Sequence, residues 1–305
     1  MKTRKIILIA ADVILLAVCI VQGILNSKDN AKTFVFTDEP DEIVIEKADE
    51  SFAITKIDGN WFIGEEKYPA NNGAVEVLAE AASSIRTLDK MGKLSNETIA
   101  ARYELSEGKK ITVTVKKDGK LLRTLAIGKE SSTGTQGYAS IDNGDDVYLT
   151  ASSLKSTFDK SIEDLRNRTV YQFDKNDINQ VSVAYTDGEF FSVGRTGDAE
   201  NLVWTLSGAE GDVDAKAATD WFNSLATLST TKWHGRNEDL GGELESQMKI
   251  YFGSKLVTVD VYVILAEEEN EKDFYYANCS ETPYTFEIPS YSVQKFQKSV
   301  EDITK

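Results

Sequence analysis

An eight-residue stretch near the middle of the chain returns at its end, and that return constrains the fold more than any single motif. Phe158-Asp159-Lys160-Ser161-Ile162-Glu163-Asp164-Leu165 reappears as Phe296-Gln297-Lys298-Ser299-Val300-Glu301-Asp302-Ile303, at an offset of 138 residues. At the same offset Tyr138-Ala139 meets Tyr276-Ala277, and Tyr148 meets Phe286. Ile85-Arg86-Thr87-Leu88 resembles Leu225-Ala226-Thr227-Leu228 at an offset of 140. Matches that hold one register over such a distance point to a duplicated unit. A chain of 305 residues also exceeds the size that one core usually serves. The sequence therefore divides into a tail (1–5), an apolar run (6–25), a polar tether (26–41), repeat unit 1 (42–168) and repeat unit 2 (169–305).

Both units read with one plan. In the first, residues 42–45, 52–57 and 61–63 alternate apolar and polar, as half-buried strands do, and Asp58-Gly59 supplies a hairpin turn. Ala74, Val75, Val77, Leu78, Ala81, Ile85 and Leu88 then recur at helical spacing. Further strands are expected near 110–115, 121–127, 137–141 and 147–149, joined by turns at Asp118-Gly119 and Asn143-Gly144, before a closing helix from about Ser152. The second unit repeats this with strands near 181–185, 190–193 and 203–206 and a helix near 215–228. Strands near 248–252, 256–265, 274–278 and 284–288 and a last helix near 290–302 complete it. The expected class is α+β: an N-terminal transmembrane helix, then two tandem repeats of a mainly antiparallel sheet with two helices each.

The N-terminal helix follows from length and flanks. Lys2, Arg4 and Lys5 precede an almost unbroken apolar run over residues 6–25, and ~20 apolar residues match a ~30 Å hydrocarbon core. A signal peptide would be shorter, with a small-x-small site, and Gly23-Ile24-Leu25 is a poor one. A lipoprotein would need Cys19, but Val18 precedes it and the run continues beyond. Basic residues hold the short end in the cytoplasm, so the rest is expected outside it as a single-pass cell-membrane protein. Asp12 lies within the run, where a carboxylate costs ~2.5–3.5 kcal/mol. It either snorkels, sharing a face with Lys5 and Cys19, or contacts another transmembrane helix.

A net charge of −16 without a basic cluster beyond the N-terminus excludes nucleic acid and tight binding to anionic lipid. Candidate chemistry is thin. His234 is the one histidine, and no ligand spacing surrounds it. Ser152-Ser153-Leu154-Lys155 and Ser292-Val293-Gln294-Lys295 carry Ser-x-x-Lys spacing, yet the chain has no Lys-Thr-Gly, and both fall where a helix wants a Ser cap. Cys279 has no nearby histidine and lies in an aromatic strand. Asp142-Asn143-Gly144-Asp145-Asp146 offers oxygen ligands at close spacing, without the later bidentate Glu of a calcium loop. Residues 267–271 read as a solvated hairpin tip, and Gly128-Lys129-Glu130 lacks phosphate-loop spacing. No catalytic, cofactor-binding or metal-binding residue is assigned.

Several short motifs occur in a set order: Trp61-Phe62-Ile63 before Tyr68-Pro69-Ala70-Asn71, then Tyr103-Glu104-Leu105, Ile127-Gly128, Gly137-Tyr138 with Val147-Tyr148, and Leu165-Arg166-Asn167-Arg168 before Phe173-Asp174. In this order the chain resembles the bacterial domain of unknown function 4340 family over nearly its whole length. It departs at Glu104, where the family more often has Gly. The resemblance implies a companion of gliding-motility-type ABC transporter components, and it brings no catalytic residues. The expected function is a non-enzymatic, membrane-anchored accessory subunit of an ABC-type transport or envelope system, whose extracytoplasmic β-rich lobes bind protein partners while its helix touches the transporter's membrane components. The alternative is an envelope protein that binds a glycan or peptidoglycan fragment between the repeats.

Overall fold

The computed structural model describes residues 31–197, 201–266, 268 and 272–305. It divides into two compact units, Met1–Asn167 and Arg168–Lys305. In unit 1 the strands are β1 (Thr33–Val35), β2 (Glu42–Glu46), β3 (Ser51–Ile57), β4 (Asn60–Ile63), β5 (Tyr68–Pro69), β6 (Ser84–Lys93), β7 (Ile111–Lys117), β8 (Lys120–Glu130), β9 (Gly137–Ile141) and β10 (Asp146–Thr150). Helices α1 (Asn72–Ser83), α2 (Glu97–Arg102), α3 (Leu154–Phe158) and α4 (Ile162–Leu165) lie between or after them. The strands form one antiparallel sheet in the order β1-β6-β10-β9-β8-β7-β2-β3-β4-β5.

The alternation of residue types builds that sheet. Ile43 and Ile45 on β2, Phe52 and Ile54 on β3, and Ile111, Val113 and Val115 on β7 all turn to one face and are buried. Helix α1 closes over them with Val75, Leu78 and Ala82, its N-terminus capped by the Asn71 side chain, which accepts from the Ala74 amide at 3.2 Å. On the opposite face a smaller cluster of Tyr103, Leu105 and Val147 gathers under the connection that carries α2. The hairpin after β9 turns through Asp142 and Asn143, both at positive φ, one residue earlier than the Asn143-Gly144 expectation.

Unit 2 contains β11 (Thr169–Gln172), a 3₁₀ turn (Lys175–Asp177), β12 (Ile178–Tyr185), β13 (Phe190–Thr196), β14 (Val203–Ser207), α5 (Ala215–Leu225), β15 (Thr227–Ser229), β16 (Trp233–Arg236), β17 (Glu243–Phe252), β18 (Lys255–Ile264), β19 (Phe274–Cys279), β20 (Thr282–Glu287) and α6 (Ser290–Val293). Its main sheet runs β14-β13-β12-β17-β18-β19-β20-β16, and β11 pairs with β15 alone. Strand for strand this is the path β4-β3-β2-β7-β8-β9-β10-β6 of unit 1. β1 on the start of β6 matches β11 on β15. The Ser161–Asp164 capping box of α4 also returns: Ser299 and Asp302 exchange the same two bonds, at 3.0 and 3.3 Å.

The α+β expectation is corrected to a mainly β protein. Among the described residues there are twenty strands in three antiparallel sheets, and the longest helix has 12 residues. The expected N-terminal transmembrane helix over 6–25, with Asp12 and Cys19, lies outside the described residues. Among the described residues no helix is long and apolar enough to cross a membrane. Two expected helices are also shorter than read. The pattern over 74–88 divides into α1 and the start of β6, because Ile85 and Leu88 satisfy helical spacing while Ser84, Ile85, Arg86 and Thr87 alternate in burial as a strand does. The helix near 290–302 is the single turn of α6.

Candidate functional site

The two sheets end differently at the same place. In unit 1, β4 is covered: Phe62 pairs with Pro69 and Ile63 with Tyr68. The Ala70 amide donates to the Trp61 carbonyl at 2.9 Å, and the Trp61 amide donates to Asn72 Oδ1 at 3.1 Å. Both Trp61 backbone groups facing away from β3 are thereby satisfied. The cover is itself held down. The Asn167 amide donates to the Pro69 carbonyl at 2.8 Å, and the Arg166 guanidinium lies 4.0 Å from the Tyr68 ring centroid.

In unit 2 the matching strand is bare. Trp204 stands opposite Arg195 on β13 as Trp61 stands opposite Lys56 on β3, and its ring meets Phe222 of α5 edge-on at 5.0 Å. β14 is the last strand of its sheet, and among the described residues no hydrogen bond reaches the Trp204 backbone from beyond it. The pairing of β14 with β13 is free of bulges. Leu202 and Val203 are 38% and 57% exposed, and residues 202–207 contain no charge and no proline. Sheet edges are ordinarily protected by lysine, proline, bulges or a covering segment; β5 is such a cover, and among the described residues β14 has none of these.

Two depressions flank this edge. At its C-terminal end the chain turns at Gly208, whose φ is +86° and where a Cβ would come within 2.7 Å of the Phe190 carbonyl oxygen. A cavity of 510 Å³ opens there against Glu189, Phe190 and the turn of Val300 and Glu301. Tyr185 ties that turn to β12 by donating to the Lys298 carbonyl at 3.0 Å, and burial holds its phenol above the usual range. On the solvent face, a second depression of 470 Å³ is floored by Gln180, Ser192, Thr205 and Ser207 beside Tyr251. Gln180 and Ser182 both bond the Ser192 hydroxyl, at 2.9 and 3.0 Å.

The candidates from sequence serve the fold. His234 Nε2 sits 2.9 Å from Glu287 Oε1, which Lys232 also approaches at 3.6 Å. Ser153 caps α3, accepting from the Ser156 amide at 3.2 Å and donating to Glu130 at 2.5 Å, while Lys155 faces Glu104 at 3.7 Å. Ser292 is buried in α6, and Lys295 follows it without reaching its hydroxyl in any bond. Cys279 is buried, and burial pushes its thiol up to about 11, the wrong direction for a nucleophile. In the acidic hairpin, Asp142 pairs with Arg123 at 2.6 Å, and Asp146 pairs with Lys90 and Lys93 at 2.8 and 2.6 Å. Those lysines hold the Asp146 carboxyl well below the usual range. Among the described residues no cluster of acidic, histidine or cysteine side chains could hold a metal. Asp12 and most of the 267–271 tip lie outside the described residues.

The ordered motifs also find their reasons. Gly128 is needed because a Cβ there would stand 2.0 Å from the Tyr103 carbonyl oxygen, to which the Lys129 amide donates at 2.9 Å. Tyr103 stacks on Tyr138 with centroids 4.1 Å apart. Glu104 has φ +57°, the left-handed region where Gly is unstrained, which gives a physical reason for Gly at that place. The profile of the family described as Domain of unknown function (DUF4340) matches residues 61–243, more than half of the chain. The protein is a member of the DUF4340 family. No curated protein and no solved structure matches the chain.

Sequence reasoning placed a strand near 203–206 without finding its role. Leu202-Val203-Trp204-Thr205-Leu206 is free of the residues that guard edges, but so is Asn60-Trp61-Phe62-Ile63, so the run carried no signal that its edge would be open.

Proposed function

We propose that the chain works by holding a protein partner rather than by catalysis, and that the partner adds an extended strand to β14. One observation carries the reading: the backbone of Trp61 is covered by residues 70 and 72, and among the described residues nothing covers the equivalent backbone of Trp204. Within one fold, unit 1 thus displays the kind of occupant that this edge accepts. The family resemblance makes components of an ABC-type transport or envelope system the first partners to test. Hydrogen exchange on the full chain tests the edge, with a peptide of alternating Thr and Val as probe. The Trp204 and Leu206 amides should slow in its presence, and the same peptide N-methylated at alternate residues should protect neither. Equal protection by both peptides, or by neither, overturns the reading. Copurification of permease subunits with wild type but not with Leu202→Pro would connect the edge to that system.

A second reading, an envelope glycan or peptidoglycan fragment as ligand, is favoured by the hydroxyl- and amide-lined floor beside Tyr251. A thermal shift with muropeptides would support it, and an unchanged melting temperature at millimolar ligand discards it.

A further inference from the structure

We propose that the cavity at the end of β14 is the specificity pocket of that edge, and that it takes one lysine or arginine side chain from the added strand. The inference rests on the strand-addition reading above and adds the chemistry of the partner. The pocket lies where an added strand would pass: Gly208 and Ala209 continue directly from β14, and Phe190 and Phe191 open β13 beside them.

Its walls are of two kinds. Phe190, with 52% of its surface exposed, Ala209 and the partly buried Val300 offer an apolar lining. Glu189 and Glu301, both exposed, also line the cavity and give it negative charge. Among the described residues neither carboxylate is matched by a cation: no ion pair forms at either, whereas Glu42 and Asp146 on the strands of unit 1 are held by lysines. An apolar slot ending in unmatched negative charge suits a side chain with a methylene stem and a cationic head. The exposed ring of Phe190 adds a face over which such a head is attracted. The volume, 510 Å³, admits a long side chain with water.

The same observations argue against a second copy of this chain as the occupant. Its own edge, residues 201–207, carries no basic residue to bring to Glu189 and Glu301. A net charge of −16 also opposes self-association and favours a basic partner.

The test uses three fluorescent peptides of alternating Thr and Val that differ at one terminal position, Lys, norleucine or Glu, made with that residue at either end. Polarisation titrations against the full chain should show the Lys peptide binding about tenfold tighter than norleucine, in one of the two polarities, and the Glu peptide weakest. Replacing both carboxylates, Glu189→Gln with Glu301→Gln, should erase the preference for Lys and leave norleucine binding unchanged. The carboxylates are surface groups, so the double variant keeps its fold, which its melting temperature checks. Raised salt should weaken the Lys peptide and spare the norleucine one. If all three peptides bind alike in both polarities, or if the double variant still prefers Lys, the pocket assignment is overturned while strand addition stands. If no peptide binds, or N-methylated peptides bind as well, strand addition fails and the pocket fails with it. A concentration-dependent dimer that competes with the peptides would identify a second copy as the occupant and overturn the basic-partner assignment.

Discussion

Trp61 and Trp204 occupy the same position in two sheets of one connectivity, yet residues 68–72 cover the first and, among the described residues, nothing covers the second. Each tryptophan stands across from a cation, Lys56 or Arg195, and each turns its ring toward the core of its own unit. What differs lies in the connection that follows. In unit 1 the chain leaving β4 doubles back through Tyr68 and Pro69 before starting α1; in unit 2 the chain leaving β14 turns at Gly208 and runs through 209–214 to α5. Two copies of a fold can thus share a core and diverge at an edge, and an edge left open where its counterpart is closed is more informative than an open edge seen alone.

The cores show the opposite relation, with different residues doing one job. At the offset of 140, Leu78 of α1 meets Ala218 of α5, and Ala82 meets Phe222. All four are buried to 1% exposure or less. Large and small exchange places across one helical turn, so at this pair of positions each helix presents one bulky and one small side chain. The largest expected effects follow from this. Phe222→Ala should cost about 3–5 kcal/mol and Leu78→Ala about 2–5 kcal/mol, each read as faster amide exchange in the sheet of its own unit. A cost below about 1 kcal/mol at either position would break the equivalence of the two helices.

Much of this architecture was legible in the sequence, and what was not has physical causes. Strands such as β7 and β18 announced themselves because one face is buried and period-two alternation follows. Turns at Asp58 and Asp118 were legible because both aspartates take positive φ before a glycine. The boundary between α1 and β6 was hidden because Ile85 satisfies both periods. The helix expected near 290–302 was misread because Val293, Phe296 and Ile303, with the partly buried Val300, turn inward at near-helical spacing from turns. Nothing local distinguishes Asn60-Trp61-Phe62-Ile63 from Val203-Trp204-Thr205-Leu206 as covered and open edges. That distinction belongs to strand order, which a single sequence leaves unspecified. The candidate site was invisible for the same reason: it is defined by a missing neighbour rather than by reactive side chains.

A titration separates the two units more gently. Cys279 on β19 stands at the place that Ile141 holds on β9, and burial pushes its thiol up to about 11. In the unfolded chain a thiol titrates near 8.5. The folded state therefore favours the neutral form; the associated stability is complete below about pH 8.5 and is lost as pH rises towards 11, about 3 kcal/mol in all. Unit 1 carries its shifts at the other end. Backbone and lysine donors hold Asp41, Asp145 and Asp146 low, so their contribution is present above about pH 4 and fades as pH falls below it. Urea midpoints between pH 8 and 9.5, below the range where the buried tyrosines of unit 2 begin to contribute, should fall for unit 2 in wild type and stay nearly level in Cys279→Val. A wild-type midpoint that does not move over that range would remove the contrast.

The smallest effect bears most directly on the edges. Asn72 is the first residue of α1, and its side-chain oxygen accepts the Trp61 amide at 3.1 Å while its nitrogen reaches Asn60 Oδ1 at 3.4 Å. Helix capping belongs to Asn71, so Asn72→Ala leaves the cap intact and places a good helix former at an exposed position. What the substitution removes is one half of the cover over Trp61. The freed amide can turn to water at the edge, so the cost is that of a net hydrogen bond, about 1 kcal/mol, rather than of a buried orphan. That is roughly a fivefold faster exchange at the Trp61 amide, with the core amides of β2 and β7 unchanged. The Trp204 amide supplies the reference: it should exchange faster than Trp61 in the wild type, and Asn72→Ala should bring the two closer together. If the two amides already exchange alike in the untouched protein, the cover does not protect, and the reading of β14 as the open counterpart of a closed edge loses its basis. If Trp61 stays slow in Asn72→Ala, the Ala70 bond and the β5 pairing carry the cover alone, and the edge should then be opened at Tyr68 and Pro69 instead.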